Sequence, residues 1–149
     1  GAELAPPCAL PLHARGGRTI KVWRSRFRSA PTAGAVTATV QEIPPDLMGL
    51  DIGPATTSLF SEALSDCNMI VWNGPMGVFE QDAFAQGTLG ITKKIANSKA
   101  LTIVGGGDTD AALHKSGLAD KVDFVSTAGG AFLEMLGGAE LPGVKSLER

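Results

Sequence analysis

The sequence predicts an α/β protein: a partial domain built on a doubly wound, mostly parallel, Rossmann-like sheet. Three observations carry that expectation. From Gln41 onward, short β-branched runs alternate with stretches of helical spacing. Each such run ends in a glycine cluster that opens the next helical stretch. Glycine and proline are also plentiful, 19 and 9 of 149 residues, which suits strands that turn sharply into helices better than it suits a helical bundle.

Taken in chain order, residues 1–40 contribute least to this pattern. Ala5-Pro6-Pro7, Leu10-Pro11, Gly16-Gly17 and the stretch from Ser29 to Gly34 break regular structure, and only Thr19 to Trp23 reads as a strand. Six basic residues stand there against one acid, a net +5 in a chain whose whole carries −2, so the remainder carries −7. Residues 1–40 are therefore expected to be an atypical, basic, poorly structured lead-in, and residues 41–149 the domain. Within the domain, Asn68 to Asn73, Ala100 to Val104 and Lys121 to Ser126 read as buried strands rich in β-branched residues. Thr56 to Leu64, roughly Gln81 to Asn97, Thr109 to Lys115 and Gly130 to Leu136 read as helices. Strands joined by helical crossovers must run parallel, and right-handed crossovers place helices on both faces of the sheet.

The composition excludes several classes. Cys8 and Cys67 are too few for a disulfide framework. No apolar run approaches the roughly 20 residues that a spanning helix needs, so no membrane role is expected. The Arg-rich lead-in could serve as a nucleic-acid arm, but a solvated stretch is the simpler reading, and no nucleic-acid partner is expected. The chain begins at Gly1 and not at Met, so nothing about targeting is read from its start.

Three glycine clusters follow the three strands: Gly74-Pro75-Met76-Gly77 after Asn73, with Glu80 close behind; Gly105-Gly106-Gly107-Asp108-Thr109 after Val104; and Thr127-Ala128-Gly129-Gly130 after Ser126. Each alone is an ordinary turn. Together they fall at the carboxyl ends of parallel strands, where such sheets bind ligands and helix N-termini offer unpaired N–H groups to an anion. A polyphosphate fits that edge. Asp108 reads either as a helix N-cap or as a Mg²⁺ ligand, since magnesium takes one or two carboxylates with waters and substrate phosphates. Glu80 reads either as a first-turn acid of its helix or as a partner of ribose hydroxyls. Trp72 and Phe79 read as core, and His13 and His114 are given no role. No G-x-x-x-x-G-K-[ST] loop, dinucleotide fingerprint, serine elbow or zinc spacing occurs. Phosphoryl transfer without a covalent intermediate needs none of these, so that class remains.

Met48-Gly49-Leu50-Asp51-Ile52-Gly53-Pro54, Trp72 to Glu80, Gly105 to Thr109 and Leu141-Pro142-Gly143-Val144, in that order, resemble the signature segments of the phosphoglycerate kinase family, in the latter part of its nucleotide-binding C-terminal domain. The resemblance spans about residues 41–149. It implies a kinase that exchanges a phosphoryl group between ATP or ADP and 3-phosphoglycerate with Mg²⁺, in glycolysis or carbon fixation. It also implies that Gly49 and Leu50 line the adenine pocket, that Glu80 binds ribose and that Asn73 reaches a phosphate. Gly105, Gly106, Gly107, Asp108 and Thr109 would hold the phosphate chain, with Asp108 as the metal ligand. Thr127, Gly129 and Gly130 would face the phosphoryl group in transit. Family members act as monomers, in the cytoplasm or in plastids.

Two departures stand in the last turn. Ala128 replaces a family glycine, which costs on the order of 1 kcal/mol if that position needs positive φ, and Phe132 replaces a serine. The family's substrate domain and its early lysine loop have no counterpart in these residues. The chain is therefore expected to be a fragment that binds nucleotide weakly and transfers nothing alone, with residues 12–35 foreign to the family pattern. A non-catalytic nucleotide-binding module is the alternative.

Overall fold

The computed structural model describes the backbone of residues 19–24 and 36–39, and then residues 43, 45 and 47–148. Its first strands are β1 (Thr19–Arg24), β2 (Val36–Thr39) and β3 (Leu47–Ile52), followed by helix α1 (Pro54–Ala63). Next come β4 (Met69–Asn73), a 3-10 turn (Asp82–Phe84), α2 (Gln86–Ala96), β5 (Leu101–Gly105) and α3 (Gly107–Lys115). A second 3-10 turn (Ala119–Lys121), β6 (Phe124–Ser126), α4 (Gly129–Leu136) and α5 (Pro142–Lys145) complete the order.

β4, β5 and β6 form a parallel sheet in that order, with helices between the strands, which is the Rossmann-like α/β arrangement the sequence implies. The register Ile70↔Thr102 and Trp72↔Val104 puts these four side chains on one face. All four are buried there, and Ile70, Trp72 and Val104 join one apolar cluster with Ile91 and Ile95 of α2, Leu113 of α3 and Phe60 of α1. Because the strand order advances without reversal, both crossover helices fall on this same face. The following helix, α4, reaches the other face, where the Phe132 ring lies against the end of β5 at Gly105.

The lead-in holds more regular structure than its breakers suggest. β1 pairs antiparallel with both β2 and β3, in a second three-stranded sheet. Among the described residues the first helix, α1, begins after Gly53, and the strands before it pair antiparallel. The remaining residues of 1–40 lie outside the described ones. Helix starts follow local rules: Pro54 at the first turn of α1 comes with its φ already set for a helix. At the other end of α2, the Asn97 amide donates to the Lys93 carbonyl at 2.7 Å.

Candidate functional site

The three glycine turns meet at the carboxyl edge of the parallel sheet and are bound to one another. The Gly74 N–H donates to Thr109 Oγ1 at 2.7 Å, joining the first turn to the second. The Gly106 N–H donates to the Ser126 carbonyl at 3.0 Å, joining the second to the third. The Asn73 side-chain amide donates to the Gly129 carbonyl at 3.3 Å, closing the first onto the third. Gly106 has φ +93°, which favours glycine, and a Cβ on Gly129 would stand 2.8 Å from the Gly106 Cα, so the two turns approach to backbone contact.

This knitting decides which donors face outward. In α3 the first helical bond runs from the Asp110 N–H to the Gly106 carbonyl, so the N–H groups of Gly107, Asp108 and Thr109 precede the ladder and open toward the edge. In α4 the first bond runs from Phe132 to the Ala128 carbonyl at 2.7 Å, which leaves the Gly129 and Gly130 N–H groups in the same position. Two helix N-termini thus point donors and positive dipole ends at one place. Gly106, whose own N–H is committed to Ser126, shapes the turn. Thr109 is buried and its hydroxyl is spent on Gly74, so its backbone is what the edge can offer.

The side chains expected here divide by exposure. Asp108 is exposed at the second position of α3, and the N-cap is Gly106, so Asp108 does not cap. The described residues hold no group of three His, Cys, Asp or Glu side chains that could bind a metal unaided. A lone exposed carboxylate beside five backbone donors fits a magnesium ion that arrives with phosphates and keeps its waters. Glu80 is exposed and lies in the turn before the 3-10 segment, not in the first turn of a helix. Thr127 is exposed between β6 and α4. Gly49 and Leu50 sit on β3, where the Leu50 carbonyl accepts the Val78 N–H at 2.9 Å, so β3 lies beside the turn that leads to Glu80. Trp72 and Phe79 are core residues, and the indole N–H of Trp72 donates to the Gly74 carbonyl at 2.7 Å.

The alanine at position 128 carries no backbone strain: its φ is −87°, and no described non-glycine residue has positive φ. Two residues escaped sequence reasoning. Lys115 reaches from the end of α3 to the Phe79 carbonyl at 2.8 Å and to Asp82 at 3.1 Å, fastening the turn that carries Glu80. Asp51, an acid inside an apolar strand, is buried with its carboxylate on the Gly87 N–H. The apolar surroundings of Asp51 were the one signal available; Lys115 gave none. Away from the edge, hydrogen bonding to the Asp110 backbone, helped by the Asp110 charge, raises the pKa of the exposed His114.

Comparison with known proteins shows the family of the chain. The profile of the family described as phosphoglycerate kinase matches residues 20–139, so the match takes in part of the stretch set apart as a lead-in. The phosphoglycerate kinase of Geobacter metallireducens is 58% identical over 121 residues, covering 81% of this chain and 30% of that protein. That of Geotalea uraniireducens is 59% identical over 118 residues, with 79% and 30% covered. Among solved structures, phosphoglycerate kinase from Coxiella burnetii superposes with a TM-score of 0.75 at 42% identity, over 85% of this chain and 32% of that one. The enzyme from Pyrococcus horikoshii gives 0.71 at 33% identity, over 87% and 31%. The chain spans about 30% of the length of the curated relatives it matches.

Proposed function

The chain belongs to the phosphoglycerate kinase family, and from that premise we propose that it forms the nucleotide side of a phosphoryl-transfer centre working between ATP or ADP and 3-phosphoglycerate. The observation that carries this reading is the convergence of three strand-end turns, two of which open helices toward one edge. The N–H groups of Gly107, Asp108 and Thr109 bind the phosphate chain, and those of Gly129 and Gly130 face the phosphoryl group as charge develops on its equatorial oxygens. Such donors are set in place by the fold before the reaction begins, so little reorganisation accompanies transfer. Asp108 takes the magnesium that neutralises the polyphosphate. Gly49 and Leu50 form a wall for adenine, Glu80 accepts from ribose, and Asn73 completes the phosphate contacts while bracing the third turn.

Substrate positioning, worth about 7 to 11 kcal/mol in well-oriented reactions, lies with residues outside this chain. The chain alone therefore binds nucleotide without turning it over. Ala128 gives little support to the non-catalytic alternative, because its φ of −87° is ordinary for alanine. No helix among the described residues is long and apolar enough to cross a membrane. A monomer in the cytoplasm, or in a plastid, is the setting that accompanies the family reading.

Calorimetric titration tests the proposal. MgADP should bind the chain, and Asp108→Ala should weaken that binding about tenfold while leaving binding of metal-free ADP nearly unchanged. ATP formation from 1,3-bisphosphoglycerate should be undetectable. Absence of MgADP binding by the unaltered chain overturns the nucleotide reading, and turnover by the chain alone overturns the assignment of positioning to residues outside it.

A further inference from the structure

Asp51 is 3% exposed, near the end of β3. Its Oδ2 accepts the Gly87 N–H at 2.9 Å and its Oδ1 the Ile52 N–H at 2.9 Å. Gly87 is the second residue of α2, a helix with no side-chain cap of its own and no acid in its first turn. A buried carboxylate from a neighbouring strand thus fills the place at this helix N-terminus that a local Ser, Asp or Glu ordinarily holds. Two glycines make the room. A Cβ on Gly77 would overlap the Asp51 carboxylate, with Cγ at 2.7 Å, and one on Gly87 would overlap it as well, with Cγ at 3.1 Å.

This carboxylate lies between the two walls assigned to the nucleoside. Gly49 and Leu50 precede it directly, and the Leu50 carbonyl holds the Val78 N–H at 2.9 Å. Gly77, against which it rests, begins the turn that ends in Glu80. The phosphate turns are joined separately, through Gly74 to Thr109, Gly106 to Ser126 and Asn73 to Gly129. We infer that Asp51 is a positioning residue for the nucleoside half of the nucleotide: it fastens the adenine wall on β3 to the ribose turn at 77–80 through the start of α2. The inference rests on the nucleotide reading above. It gives the base and ribose half a support of its own, in addition to the Lys115 tie from α3 to the Phe79 carbonyl and apart from the hydrogen bonds that join the phosphate turns to one another.

That support sets the test, with MgADP and magnesium pyrophosphate titrated into the same proteins. Asp51→Asn keeps the shape, but its amide group can turn an N–H against the Gly87 N–H. It should weaken MgADP about tenfold and leave magnesium pyrophosphate within about twofold, the size expected for one buried charge-assisted hydrogen bond. Gly87→Ala, whose Cβ presses on the Asp51 carboxylate and on the Ile52 side chain beside it and leaves the charge in place, should give the same uneven loss and serves in its place if Asp51→Asn does not fold. Equal loss of both probes in the folded variant overturns the inference, because a carboxylate that only supports the fold moves both. Unchanged MgADP affinity also overturns it. If the unaltered chain binds pyrophosphate but not MgADP, the nucleotide reading itself fails, and that outcome is visible before any variant is made.

Discussion

The unit formed by β5 and α3 and the unit formed by β6 and α4 are built alike, each a short strand, a glycine turn and a helix. Yet α3, which carries Asp108, Asp110, His114 and Lys115, buries Thr109, Ala112 and Leu113. In contrast α4, with Phe132, Leu133, Met135 and Leu136 and a single charge at Glu134, buries none of its residues. The more apolar helix is the more exposed one: Met135 is 52% and Leu136 54% accessible, against 0% for Leu113. Apolar sequence makes a helix eligible for burial, but a covering element has to be present. α3 lies over strands on the packed face, whereas α4 follows β6, which pairs with β5 alone among the described strands.

The comparison breaks most visibly by cavity formation. Leu113→Ala should destabilise the chain by about 2 to 5 kcal/mol, and Leu136→Ala should change stability by no more than about 0.5 kcal/mol. Urea unfolding of both variants checks this, and equal losses would mean that α4 is packed in solution.

A smaller effect is expected where the β5 and α3 unit meets the turn after β4, a tie for which the described residues of the β6 and α4 unit show no counterpart at that turn beyond the Asn73 amide on Gly129. Thr109→Val removes the acceptor of the half-buried Gly74 N–H and should cost about 1 kcal/mol, while Thr109→Ser, which keeps the hydroxyl, should cost less. Amide exchange at Gly74 should quicken in the valine variant alone.

The smallest effect depends on acid. Asp123 accepts the Thr102 N–H and the Thr102 hydroxyl, each at 2.8 Å, and tethers the entrance of β6 to β5. Those hydrogen bonds, the backbone one foremost, hold its carboxyl below the ordinary carboxylate value. A carboxyl lowered by folding contributes stability above its unfolded pKa of about 3.9 and loses that contribution as pH falls through the lower folded value. The unaltered chain should therefore be the more stable at neutral pH, and its margin over Asp123→Asn should shrink as the pH falls below the ordinary carboxylate range. Melting temperatures taken across that range measure it; a margin that does not change with pH would assign the tether no charge dependence.

Much of this molecule was legible before folding because its signals are short-range. β-Branched runs marked β4 and β5 to within a residue at each end, and the glycine clusters marked the edge where the turns meet. The ordered motifs marked the family. The third strand was read too long, because Ala119 to Lys121 forms a 3-10 turn ahead of Phe124. The strand pairings of the lead-in were not legible either, since breakers hide a strand whose stability comes from its neighbours.

What tertiary structure alone decided lies at longer range. The Asp51 carboxylate meets Gly87 across 36 positions, and the Asn73 amide meets Gly129 across 56. Local periodicity extends over a few residues and carries no information about such pairs. Whether Asp108 caps or stands free, whether the Thr109 hydroxyl faces a ligand or the protein, and whether α4 is covered depend on which segments the chain closure brings together. The sequence by itself determined the elements, the turns and the family. The fold decided which donors the turns spend on each other and which they leave for an anion, because a buried N–H must find an acceptor and only the assembled neighbours settle which one it meets.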